Sequence, residues 1–140
     1  MKSNKKLRKH VKKSTGHTGI VWGERGWQPL FYGFCPNKKS WDKHMKFLGL
    51  ENEPYPETNG HMIELSEDKK TVCIATVGDV GSRSRAEIIG VIVHEAVHVW
   101  QSVQEHIGET SPGREMEACA IQAITQHLIE AFEVTRGFPK

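Results

Sequence analysis

The sequence predicts an α+β domain, because it divides in two. Residues 28–77 hold β-branched and aromatic runs bounded by turn formers, and from Ser84 onward the apolar spacing becomes helical. A length of 140 residues with 37% apolar and 26% charged side chains fits one domain of ordinary globular composition.

Residues 1–18 read as a basic mobile tail. Seven of the 19 Lys and Arg residues lie within positions 2–13, with too few apolar neighbours to offset the entropy of ordering them. The remaining 127 residues carry 12 basic against 17 acidic groups, so residues 19–140 form a weakly acidic body. A basic tail can neutralise phosphates, but no aromatic interleaving or reader module accompanies this one. A solvated tail is therefore the stronger expectation, with nucleic acid a secondary partner.

In the body, residues 22–36 are rich in glycine and aromatics, and residues 28–34 read as a short strand. Ser40 caps a brief helix over 41–48 that stops at Gly49, and a loop rich in Glu, Pro and Asn spans 51–60. The apolar runs 61–65 and 71–77 flank polar residues 66–70 and predict a hairpin. The second arm is β-branched enough to be the best strand; at a sheet edge it would accept an extended peptide, and otherwise it is a core strand.

Ser84 then caps a long helix, with Glu87 at the capping-box position and apolar residues on nearly every side from Ile88 to Val103. A helix apolar all round is a buried one. It should stop near Gly108, and a second helix should start with Ser111 as cap and Pro112 in the first turn, ending about Thr135. The element order is β, short α, β-hairpin, long α, long α.

Cys35, Cys73 and Cys119 are odd in number and include no CxxC pair. They predict free thiols, and with them a reducing, cytoplasmic compartment. No run of about eighteen apolar residues is present, and the first thirteen are too basic for a secretory signal, so no membrane partner is expected.

The chemistry lies inside the buried helix, where His94-Glu95-Ala96-Val97-His98 matches HExxH. Spacing of four sets both imidazoles on one face, close enough for one tetrahedral Zn2+, while Glu95 lies roughly 100° round the helix, near a metal-bound water. In a chain of this length and composition the pattern arises by chance about 0.04 times, which disfavours coincidence. Two histidines and a glutamate among Ile, Val and Ala would also be costly to bury without a partner, and a metal supplies one.

Two ligands are too few. The extension HExxHxxGxxH fails, since Gln101 and Gln104 stand at its Gly and His positions. A carboxylate on the next helix is the alternative, and Glu115 and Glu117 are both candidates. Periodicity favours Glu117, which shares a stripe with Ile121, Ile124 and Leu128, whereas Glu115 shares one with Ala118, Cys119, Gln122 and Gln126. Cys119, His61 and Asp79 stand next in line.

With Glu115-Met116-Glu117-Ala118-Cys119 following HExxH, the sequence resembles the gluzincins, zinc peptidases whose third ligand is a Glu on the next helix with a small residue three positions later. Glu115 and Ala118 match that pattern, with Cys119 standing where the family often has Asp or Asn. Residues 94–101 with 115–122 further resemble small HExxH proteins of bacteriophages and prophages. The resemblance implies a minimal zincin-like fold, a small mixed or antiparallel sheet packed on two long helices, and implies Glu115 as ligand with Glu117 as its rival.

The function expected is that of a zinc metallopeptidase: a metal-activated water attacks a peptide or protein substrate, with Glu95 as base. Tyr55 and His61 are candidates to stabilise the oxyanion. The alternative is a catalytically weak zinc-binding phage assembly protein, or a nucleic-acid-associated one.

Overall fold

A computed structural model of the chain describes residues 18–24, 26–67 and 70–139. Residues 1–17 of the expected tail lie outside them, and Thr18, its last residue, is buried at the start of the described body. Across the described residues the fold is α+β, a four-stranded mixed sheet with three helices. In chain order these are β1 (Val21–Trp22), β2 (Phe31–Cys35), α1 (Lys38–Leu48), β3 (Gly60–Glu67), β4 (Lys70–Val77), α2 (Arg85–Ile107) and α3 (Arg114–Thr135).

The sheet order is β1-β2-β4-β3, with β2 and β4 parallel and the other pairs antiparallel. The hairpin β3–β4 forms as expected, but β4 is central. The edge beside it is β3, so of the two readings of this strand, docking edge and core strand, β4 is the core strand. Side-chain alternation explains the placement. Tyr32, Phe34, Cys73, Ala75 and Val77 face one way, against Ile88, Ile92, Ala96 and Val99 of α2 and Ile124, Leu128 and Phe132 of α3. Phe31, Cys35, Val72 and Ile74 face the other way, against Trp41 and Met45 of α1. A strand covered on both faces has no polar side, which is why residues 72–75 read as an almost unbroken apolar run.

Local caps set the helix ends. Ser84 accepts the Glu87 backbone N–H at 3.2 Å, and Gly108, in the left-handed region at φ 69°, closes α2. The start of α1 differs from expectation: Asn37, not Ser40, is the cap, accepting the Ser40 N–H at 2.8 Å. The start of α3 also differs, since the cap position is Gly113 and no side chain caps it, while the Ser111 N–H donates to Glu109. At the far end, the Arg136 guanidinium donates to the carbonyls of Val77 and Gly78, tying the end of α3 to the end of β4. Among the described residues no helix is long and apolar enough to cross a membrane.

Candidate metal centre

Helix α2 carries His94 and His98 one turn apart, with Nε2 of one 3.1 Å from Nε2 of the other and the rings nearly perpendicular at 77°. Two imidazole nitrogens on a tetrahedral zinc at 2.0–2.1 Å lie roughly 3.3 Å apart, so the pair fits two positions of such a centre. The tautomer fits as well. Nδ1 of His98 lies 2.8 Å from Oε1 of Gln101, and the tautomer protonated on Nδ1 would donate to that oxygen and leave Nε2 able to ligate. Gln101 thus supplies an orienting hydrogen bond to His98.

Glu95 reaches the start of β3 beside Gly60 and is 4% exposed. Burial raises its proton affinity above that of an ordinary glutamate, and nearby His94, His98 and His61 oppose the rise. Its seat depends on Gly60 at the start of β3. A Cβ there would meet Val91 Cγ1 at 2.4 Å and Glu95 Oε1 at 3.1 Å, so only glycine lets the edge strand lie this close to α2.

A groove of about 500 Å3 opens beside this cluster. His94 and Glu95 line it together with Gly60, Gly90 and Val91, and Asn59, Arg83 and Glu87 complete its wall. The structure therefore brings His94 and His98 together beside Glu95, while His61 is exposed on the edge strand β3. The structure does not bring Tyr55 there, which stacks edge-on to Trp41 on the α1 side of the sheet with ring centroids 5.9 Å apart, and so is corrected as an oxyanion candidate at this site. Asp79 accepts the Gly81 N–H in the loop before α2.

The glutamates of α3 differ from one another. Glu117 is half-buried and its Oε2 accepts the indole N–H of Trp100 at 2.9 Å, whereas Glu115 is exposed. Among the described residues no three His, Cys, Asp or Glu side chains are grouped to hold a metal. The two histidines fit a zinc ion, and the third donor is not assembled beside them.

Sequence reasoning passed over Gln101, Gly60 and Arg83. Gln101 drew notice only as a departure from the longer histidine motif, and the other two join the site through contacts distant in sequence. Gly90 did carry a signal: a lone glycine inside an otherwise apolar helix marks a close approach or an open space, and here a Cβ would meet nothing within 4 Å. Comparison of the chain with protein-family models, curated proteins and solved structures finds no match.

Proposed function

We propose that this chain is a zinc-dependent peptidase, a hydrolase in which His94 and His98 hold the metal and Glu95 is the general base. The observation that carries the reading is the juxtaposition of two converging imidazole nitrogens, 3.1 Å apart, with a buried carboxylate on the wall of an open groove. A zinc ion held there supplies Lewis acidity, lowering the pKa of a bound water and polarising a carbonyl. Glu95 takes the proton from the attacking water and delivers it to the leaving amine, and a carboxylate with raised proton affinity suits both transfers. Gln101 fixes the His98 ring, and Gly60 holds the strand against Glu95.

For the third donor, α3 offers Glu115 by motif and Glu117 by position; Glu117 packs on α2 through the hydrogen bond from Trp100, about 200° round that helix from His98. The substrate class is a peptide or protein. The free thiols of Cys35, Cys73 and Cys119 support a reducing compartment, the host cytoplasm if the gene is phage-borne.

Metal analysis of the purified chain, with cleavage of a peptide library by wild type and Glu95→Gln, tests the reading. About one zinc per chain is expected, retained in Glu95→Gln while hydrolysis is lost, because an amide accepts no proton. Bound zinc without cleavage by wild type would favour the zinc-binding assembly reading, and absence of zinc would defeat both.

A further inference from the structure

We propose that Arg83 makes the groove a carboxylate-binding subsite, so that the preferred substrate is a peptide presenting an acidic group close to the bond cleaved. The inference rests on the peptidase reading above. Arg83 lines the same groove as His94 and Glu95, and its Nη1 is buried with no hydrogen-bond partner. Of its groups, the backbone N–H is engaged, donating to the Val80 carbonyl at 2.8 Å in the turn that leads into α2.

An unpartnered buried guanidinium N–H is unfavourable, and a planar fork of donors is satisfied best by a carboxylate, which accepts two parallel hydrogen bonds. Glu87, four residues on and on the same groove wall, is the obvious internal partner, yet the two form no ion pair. Glu87 instead sets a limit on the ligand. With its carboxylate and that of Glu95 lining the groove, a dianion such as a phosphate meets repulsion, whereas a monoanion placed on Arg83 neutralises one charge. Gly90, where an added Cβ would meet nothing within 4 Å, leaves room for the bound chain, and Asn59 adds an amide able to bond its backbone. The carboxylate has two possible sources, a Glu or Asp side chain and the C-terminus of the peptide.

Fluorescent, N-acetylated heptapeptides distinguish them. One series differs only by Glu or Gln at the central position, the other only by a C-terminal carboxylate or amide. Binding is read by anisotropy on the full chain carrying Glu95→Gln, with and without Arg83→Gln or Arg83→Lys. One series should bind at least about tenfold tighter in its acidic form. That preference should vanish with Arg83→Gln, survive in part with Arg83→Lys and shrink as salt is added. Glu87→Gln should strengthen binding of the acidic form, which reads the same subsite without altering Arg83. Thermal melting of Arg83→Gln should match the parent, since no internal bond of that side chain is lost.

Equal binding of acidic and neutral forms in both series, including no binding of any peptide, would overturn the proposal. So would a preference that persists in Arg83→Gln. An Arg83-dependent preference in a protein whose wild type cleaves nothing would keep the subsite and defeat the peptidase, while cleavage without acidic preference would do the reverse.

Discussion

The indole N–H of Trp100 donates to Oε2 of Glu117 at 2.9 Å, joining α2 to α3 two residues after His98. Trp100 is 1% exposed, so the bond satisfies a donor that water cannot reach. Glu117 is therefore no unsupported charge on an apolar stripe, and its removal is not neutral. Glu117→Ala should lower stability by about 1–3 kcal/mol in chemical denaturation of the metal-free chain, the range for leaving a buried donor unpaired. Glu117→Gln, which keeps a carbonyl acceptor, should lower it less. Zinc content measured on the same variants, with Glu115→Ala beside them, assigns the third donor: loss in Glu117→Ala and Glu117→Gln with retention in Glu115→Ala selects Glu117, and the opposite pattern selects Glu115.

The His98–Gln101 hydrogen bond leads to a prediction about affinity rather than stability. Gln101 is exposed, so Gln101→Leu should leave the metal-free fold unchanged. It should weaken zinc binding about 10- to 100-fold in competition with a chelator, because the His98 ring loses the acceptor that fixes its tautomer. An unchanged zinc affinity would show that the helix alone orients the imidazole.

Glu95 carries a pH dependence whose sign is definite. Its proton affinity in the fold lies above that of an ordinary glutamate, so below about pH 4, the unfolded value, both states are protonated and no penalty exists. As pH rises through the folded value, the unfolded chain has already released its proton and stability falls. Metal-free Glu95→Gln should accordingly match wild type at pH 4 and exceed it at pH 7 in urea denaturation. A wild type more stable than the variant at pH 7 would mean that the surrounding histidines outweigh burial.

Much of this architecture was legible because it is local. The capping of α2 by Ser84 and its closure at Gly108 depend on residues within one turn, as does the approach of His94 to His98. The errors came where neighbours compete or contacts are distant. Asn37 and Ser40 are both good caps, and the winner is the one whose side chain reaches the free N–H. The Ser111-Pro112 pair looks like a helix start, yet the turn continues to Gly113 before α3 begins. A two-residue strand such as β1 has no period to detect. The central place of β4 depends on its parallel pairing with β2, some forty residues earlier, and Arg83 meets the groove only because the loop before α2 returns to the start of β3.

The thiols differ enough for chemistry to tell them apart. Burial pushes both Cys35 and Cys73 up to about 12, whereas Cys119 is exposed on α3. Native protein at pH 8 should therefore take up one equivalent of iodoacetamide, at Cys119 by peptide mapping, and three only after unfolding. The two raised thiols also make the fold less stable as pH climbs above about 8.5, where the unfolded chain ionises first.

Two glycines of the groove should respond in opposite directions to the same change. At Gly60 an added methyl would stand 2.4 Å from Val91 Cγ1 and 3.1 Å from Glu95 Oε1, so Gly60→Ala must move the strand, the valine or the carboxylate. Overpacking of this kind costs about 1–3 kcal/mol, and hydrolysis should fall further than stability explains, because each of these shifts alters the seat of the proposed base. Gly90 lies within α2, and its added Cβ meets nothing within 4 Å. Gly90→Ala should therefore raise stability by about 0.5–1 kcal/mol, through reduced backbone entropy in the unfolded chain. A helix that forgoes this gain keeps its open space for something, so Gly90→Leu, which fills the groove, should retain zinc while weakening peptide binding. Undiminished peptide binding by Gly90→Leu would mean that substrate reaches Glu95 by another route.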